Sequence, residues 1–298
     1  MSSHTKALFA ILIAALLWST ASSVGKLLVA QASPFVVATY RFGVASLCIL
    51  PFFLKEKKPK GYIKNLLPLG IFNAGNILFY YSGLALTTAN SASIIGTSVP
   101  LVVALLSPIL IHESVNRKKW FGIIVGLLGT LFIIFLPILQ KNIIISGNLL
   151  GNIFLLAATI CWSLYIITSR FALFQNHYSS LLATSINIFF TTFASLTAAI
   201  LTHQSLSIPA LKTPTYLGVL LFAAIGITLI TFFLFQWGVQ YVSAATASLK
   251  ENIQLVIGVG INALVLGEKL TFGYFVGGIL VLVGVLIATK STLSKRYL

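Results

Sequence analysis

The sequence predicts an all-α integral membrane fold: ten transmembrane helices arranged as two inverted five-helix repeats, with N and C termini cytoplasmic. Three observations predict it. Hydrophobic residues fill 58% of the 298 positions and charged residues only 8%, against about 25% charged in soluble domains. The lysines and arginines gather in short loops between the apolar runs. Characteristic residues of the first half return in the second at two fixed offsets.

The elements follow from the apolar runs, since roughly 20 residues cross a bilayer. Ten such runs occupy about 6–28, 34–54, 65–86, 90–112, 118–137, 148–170, 178–201, 215–240, 243–266 and 271–289. Pro34, Pro68, Pro209 and Pro214 mark ends or loops. The first run lacks a small-residue cleavage site and is expected to stay as a helix. Cys48 and Cys161 fall inside runs and are expected to be small buried side chains, not a disulfide framework.

Loop charge sets direction. Lys55, Lys57, Lys58, Lys60 and Lys64 lie in the second loop, Arg117, Lys118 and Lys119 in the fourth, and Lys290, Lys295 and Arg296 in the tail. All share one side if the N-terminus does too, and the opposite side has only Lys26, Lys141, Lys212 and Lys269 near it. Both termini are then cytoplasmic. The formal net charge of +15 is accounted for by this asymmetry, so the expected partners are the bilayer and a small molecule, with no nucleic acid. The expected location is a bacterial inner (plasma) membrane.

The chain reads as a duplication, 1–143 and 144–298. Trp18-Ser19 and Lys26 return 144 residues later as Trp162-Ser163 and Arg170. Gly83, Ser93, Glu113, Gly122 and Gly129 return 155 residues later as Gly238, Ser248, Glu268, Gly277 and Gly284. Five spans per copy is an odd number, so the second copy enters from the other side. Inverted repeats of this kind are common in secondary transporters.

Each half resembles the EamA-type repeat of the drug/metabolite transporter superfamily. The stretches that carry the resemblance are "LLWSTASSVGK", "SPFVVATYRF", "GLALTTANSASIIGTSVPLVVALLSPILIHE" and "GIIVGLLGTLFI" in the first half. In the second they are "ATICWSLYIITSR", "GVQYVSAATASL", "VLGEKLT" and "GGILVLVGVLI". The resemblance implies ten helices, cytoplasmic termini and transport of a small metabolite, and an arginine at the position of Arg41. Pro100 matches the family's usual proline, whereas Leu255 departs from it in the second half.

Charges inside spans are functional candidates by default. Lys250 and Glu251 stand in the ninth span, where the first half has Ile95 and Gly96. A feature of one copy only leans towards substrate or ion handling, with an internal ion pair as the other reading. Neighbours on a helix point about 100° apart, so Lys250 and Glu251 are expected not to face each other, while Gln254 shares a face with each. Arg41 either stabilises the fold or contacts substrate. Lys26 and Arg170 are expected to snorkel to opposite interfaces.

The remaining candidates for a polar path are Trp18, Ser19, Ser22 and Ser23 in the first span, Asn73, Asn76, Tyr80 and Tyr81 in the third, Trp162, Ser163 and Tyr165 in the sixth, and Thr228, Thr231, Gln236 and Gln240 in the eighth. For any one of them interhelical hydrogen bonding is the simpler role. Gly122, Gly126 and Gly129, and Gly273, Gly277 and Gly284, suit close packing as peripheral scaffold or as a homodimer contact. Glu113 and Glu268 are expected to favour the dipole of the helix that follows each.

A membrane-embedded enzyme needs a clustered nucleophile, base or metal set. Aspartate is absent, and His4, His112, His177 and His203 are scattered. "HES" at 112–114 lacks the second histidine of a zinc motif. No cofactor or metal is expected. A secondary transporter of an amino acid or amine-bearing metabolite is the leading reading. S-adenosylmethionine, nucleotides and sugars stay open as substrates, and a passive channel or an enzyme as other classes.

Overall fold

The computed structural model describes residues 2–110, 117–140 and 147–293. His112, Glu113, Lys141, Lys295 and Arg296 lie outside them. The described chain forms fourteen α-helices with two π-turns and a short 3-10 turn, and no strand. The first half contains α1 (Ser3–Trp18), α2 (Ala21–Val29), α3 (Pro34–Lys55), α4 (Tyr62–Leu86), α5 (Ala89–Gly96), α6 (Val99–Leu110) and α7 (Arg117–Gln140). The second contains α8 (Leu149–Arg170), α9 (Ser180–Leu201), α10 (Pro214–Ala224), α11 (Thr231–Val239), α12 (Ala244–Ser248), α13 (Lys250–Leu266) and α14 (Phe272–Leu293). Counted across their breaks, nine of these segments are long and apolar enough to cross a membrane, and α14 adds a shorter apolar stretch, Phe272–Ala288.

The helix starts carry the expected chemistry. Pro34 and Pro214 open α3 and α10 at the position where a missing N–H costs nothing. Thr88, Asn148, Ser179 and Ser243 accept from the first-turn amides of α5, α8, α9 and α12. Gly61 enters α4 with φ of 76°, a left-handed conformation that suits glycine.

Sequence periodicity predicts continuous spans, but four are interrupted. The first breaks at Ser19-Thr20, whose hydroxyls bond back to Ala15 O (2.8 Å) and Leu17 O (2.7 Å). The fourth breaks at Thr97-Ser98, where Thr97 Oγ1 donates to Ser93 O (2.9 Å) and Ser98 Oγ to Ile95 O (2.6 Å), two residues before Pro100. The eighth widens into a π-turn over Ile225–Ile230. The ninth breaks at Leu249, between α12 and α13. All four interruptions fall near the middle of their segments or on the approach to Lys250.

Packing is tightest for three pairs: α7 with α14, α4 with α8, and α3 with α9. In the first pair the glycines face each other within one chain: a β-carbon on Gly284 would stand 2.7 Å from Gly122 O, and one on Gly122 would stand 2.8 Å from Gly284 O. The glycine faces are therefore spent on intramolecular contact, and the outward faces of the two helices are apolar (Phe121, Ile124, Leu128, Phe275, Leu286). Similar exposed side chains, such as Leu47, Phe193 and Leu264, surround the bundle, as a lipid-facing surface requires.

Gly284→Ala is expected to lower stability by about 1–3 kcal/mol, since the added methyl meets helix backbone that cannot rotate away. Gly260→Ala, on the exposed side of α13 with open space at its β-carbon, is expected to raise stability by about 0.5–1 kcal/mol. Denaturant unfolding of the detergent-solubilised variants checks both signs.

Candidate functional site

The charged side chains of the spans do not reach for the membrane surface. Lys26 Nζ donates to Leu84 O (2.8 Å) and Thr87 O (2.6 Å), closing the C-terminus of α4. Arg170 Nη1 donates to Val239 O (2.8 Å) and Gln240 O (2.6 Å), closing that of α11. Snorkelling is thus corrected to helix capping, because the orphan carbonyls of a helix end are nearer than the headgroups. The two caps correspond: Lys26 and Arg170 are 144 positions apart, and Leu84 and Val239 are 155 apart.

Glu268 is corrected in the same way. Its Oε1 and Oε2 accept from Ala89 N (2.7 Å) and Asn90 N (2.8 Å). It serves the N-terminus of α5 in the other half, not that of α14, because the fold brings that earlier helix end against it.

Arg41 is 4% exposed and is held by neutral acceptors. The π-turn directs carbonyls at it. Arg41 Nε donates to Thr228 Oγ1 (2.6 Å) and Ala223 O (3.2 Å), Nη2 to Ile227 O (3.2 Å) and Nη1 to the Tyr81 hydroxyl (2.9 Å). Ile227 O also accepts from Trp18 Nε1 (3.0 Å) and Thr231 Oγ1 (2.7 Å).

A cavity of about 140 Å³ opens beside Arg41, at the junction of the first, second, third, fourth, sixth, eighth and ninth segments. Its wall includes Trp18, Arg41, Asn76, Tyr80, Trp162, Lys250, Glu251 and Gln254. Several wall positions are related by the sequence offsets: Trp18 with Trp162 at offset 144, and Ile77 with Phe232, Gly96 with Glu251 and Val99 with Gln254 at offset 155.

Lys250 and Glu251 do face each other, contrary to expectation. Lys250 Nζ stands 2.6 Å from Glu251 Oε1, with both residues buried. Their α-carbon directions diverge, but Lys250 is the first residue after the break at Leu249 and its long flexible stem closes the distance. Trp162 Nε1 donates to the same carboxylate oxygen (2.9 Å). With its amide oriented to satisfy both neighbours, Gln254 donates to Glu251 Oε2 (2.8 Å) and accepts from Lys250 Nζ (2.9 Å). The ammonium lies 4.3 Å from the Trp18 ring centre, 5.1 Å from that of Trp162 and 5.6 Å from that of Phe235. A buried ion pair offsets its desolvation only when its remaining hydrogen-bonding capacity is met, and these neighbours meet it.

The structure keeps other sequence candidates out of the cavity. Tyr165 is fully buried, stacked on Trp162 at 4.8 Å, and accepts from Gln236 Nε2 (2.6 Å) and Asn187 Nδ2 (3.2 Å). Tyr165 and Gln236 thus form a polar layer behind the wall. Asn73 bonds Thr191, Gln240 bonds Ser180, and Ser163 bonds its own helix. These are the interhelical or local bonds that membrane interiors favour.

Sequence reasoning missed Asn262. Its Oδ1 accepts from Ser22 (2.9 Å) and Ser23 (2.6 Å), and its Nδ2 donates to Asn90 Oδ1 and Ser93 Oγ (both 3.2 Å). A buried asparagine in an apolar run was the available signal.

Arg41→Lys is expected to cost about 1–3 kcal/mol, because one ammonium cannot serve acceptors on Ala223, Ile227, Thr228 and Tyr81 together. Tyr80→Phe, which removes a hydroxyl that makes no hydrogen bond among the described residues, is expected to melt like the parent. Thermal unfolding in detergent compares them.

Known proteins resemble the chain over its whole length. It is 26% identical over 284 residues to an uncharacterized transporter, YetK, of Bacillus subtilis (strain 168), covering 89% of this chain and 81% of that one. It is 25% identical to YyaM of the same organism, an uncharacterized transporter, covering 92% and 90%. It is 23% identical to the WAT1-related protein At1g43650 of Arabidopsis thaliana, covering 100% and 95%. A solved crystal structure with 18% identity superposes with a TM-score of 0.68, covering 99% of this chain and all of the other, which shows the fold. The EamA-like transporter family matches twice, over residues 5–135 and 149–290, so the chain is a member of the EamA-like transporter family.

Proposed function

We propose that the chain is a secondary transporter that moves an amino acid or amine-bearing metabolite across a bacterial inner membrane by alternating access of two inverted five-helix halves, 1–143 and 144–298. The carrying observation is the cavity at the junction of the halves, whose polar groups include both signs of charge. Glu251 and the rings beside it suit an amine. Arg41, whose partners are all neutral, leaves one positive charge without a carboxylate in the wall. A substrate carboxylate would complement it. Interrupted helices beside the cavity are the usual construction of such sites.

The topology is supported by which segment ends touch. Glu56 and Asn65 bond Ser179 and Tyr178, linking the end of the second segment and the start of the third to the loop after the sixth. Tyr40 and Leu28 bond Leu206 and Tyr216, and Lys26 and Glu268 join the ends of the first and third and of the fourth and ninth segments. Ten alternating crossings put every one of these contacts between ends on the same side. The two family matches fall on either side of the boundary at 143–144.

Two measurements test this reading. With the native cysteines replaced, a cysteine at exposed position 212 is expected to react with an impermeant reagent from outside the cell, and one at exposed position 58 is not. Strong outside labelling at 58 overturns the topology and the inverted repeat with it. In liposomes, saturable exchange of a labelled amino acid or amine from a metabolite panel is expected of the parent and is expected to fall about tenfold or more in Glu251→Gln, with folding and insertion retained. Equal rates in both remove Glu251 from the transport site.

A further inference from the structure

The ammonium of Lys250 sits where a ligand's ammonium would sit. It has a carboxylate at 2.6 Å, three aromatic rings with centres within 5.6 Å and an amide oxygen at 2.9 Å. Aromatic faces around a carboxylate are the chemistry by which proteins recognise organic ammonium groups. The first half has no counterpart of the pair. At the corresponding positions of the first half stand Ile95 and Gly96, and Ile95 is fully buried. Lys250 also follows a helix break and is the first residue of α13.

We propose that Lys250 is a resident cation in an ammonium-binding site made by Glu251, Trp18, Trp162 and Phe235, and that a primary alkylammonium group of the substrate displaces it. The proposal rests on the reading of the cavity as the substrate site and names the chemistry of one end of that substrate. Its consequence is mechanical. An unpaired carboxylate at this depth is strongly destabilising. With Lys250 in place, Glu251 stays paired while the cavity is empty, so the empty protein can change conformation without a bound cation. When a substrate ammonium takes the position, the Lys250 ammonium turns into the cavity. There it joins Arg41 in facing the substrate's anionic end.

The test uses the full chain in detergent, with Trp120 and Trp237 changed to Phe so that fluorescence reports Trp18 and Trp162. The probe is n-butylammonium, the chemical equivalent of the lysine side chain, with butan-1-ol as the uncharged control. Lys250→Ala is expected to bind n-butylammonium about tenfold or more tightly than the Lys250 protein, each tenfold being 1.4 kcal/mol. Butan-1-ol is expected to give no such gain, and Lys250→Ala with Glu251→Gln is expected to lose it. If Lys250→Ala aggregates, Lys250→Gln, which keeps a polar group on a similar stem, enters the same titration. Equal n-butylammonium binding with and without Lys250, or an equal gain for butan-1-ol, overturns the proposal. Because the titration reads binding without flux, it can fail while exchange in liposomes succeeds, and the reverse.

Discussion

A backbone carbonyl or amide inside a hydrocarbon layer must find a partner within the protein, since no water is there to serve it. Several polar side chains in this bundle answer that constraint. Lys26 and Arg170 close the C-termini of α4 and α11. Glu268 closes the N-terminus of α5. Asn152 donates to Ile133 O and Ile134 O while accepting from Thr87, and so joins three segments. Arg41 and Trp18 serve the carbonyls that the π-turn exposes. Each satisfies a backbone group and, in doing so, ties one segment to another.

The same constraint explains where the cavity is. A broken helix leaves backbone groups to be satisfied, so breaks are tolerable only inside the protein or beside a polar space. The interruptions at Ser19-Thr20, Thr97-Ser98, Ile225–Ile230 and Leu249 converge around one space. Wall positions related by the two sequence offsets differ in chemistry. Trp18 and Trp162 repeat, but Gly96 becomes Glu251 and Val99 becomes Gln254. The fourth segment carries polar but uncharged side chains, and the ninth carries the ion pair.

The outer helices have a different task. α7 and α14 meet through glycines, where small residues let backbones approach and dispersion replaces the hydrophobic effect that is missing between helices in lipid. Within Trp120–Leu139 and Phe272–Ala288 their polar groups besides the indole of Trp120 are Thr130 and Tyr274, and they take no part in the cavity wall.

Composition and hydropathy were enough by themselves to determine a helical membrane protein and the edges of its segments to within a few residues, and the resemblance of stretches such as "LLWSTASSVGK" and "ATICWSLYIITSR" pointed to its family. Hydropathy is a property of segments and survives any packing. The main site candidates were legible for a related reason: a charge such as Lys250, Glu251 or Arg41 in an apolar run needs an explanation before any contact is known. Only the tertiary structure decided what each charge touches. It joined Lys250 to Glu251, gave Arg41 to carbonyls, sent Glu268 to a helix 179 residues away and withdrew Tyr165 and Gln236 from the cavity. Helical periodicity gives the direction in which a side chain leaves its helix. The partner depends on which helix lies opposite, where that helix is broken and how far a flexible side chain can reach, and none of these is written in the local sequence.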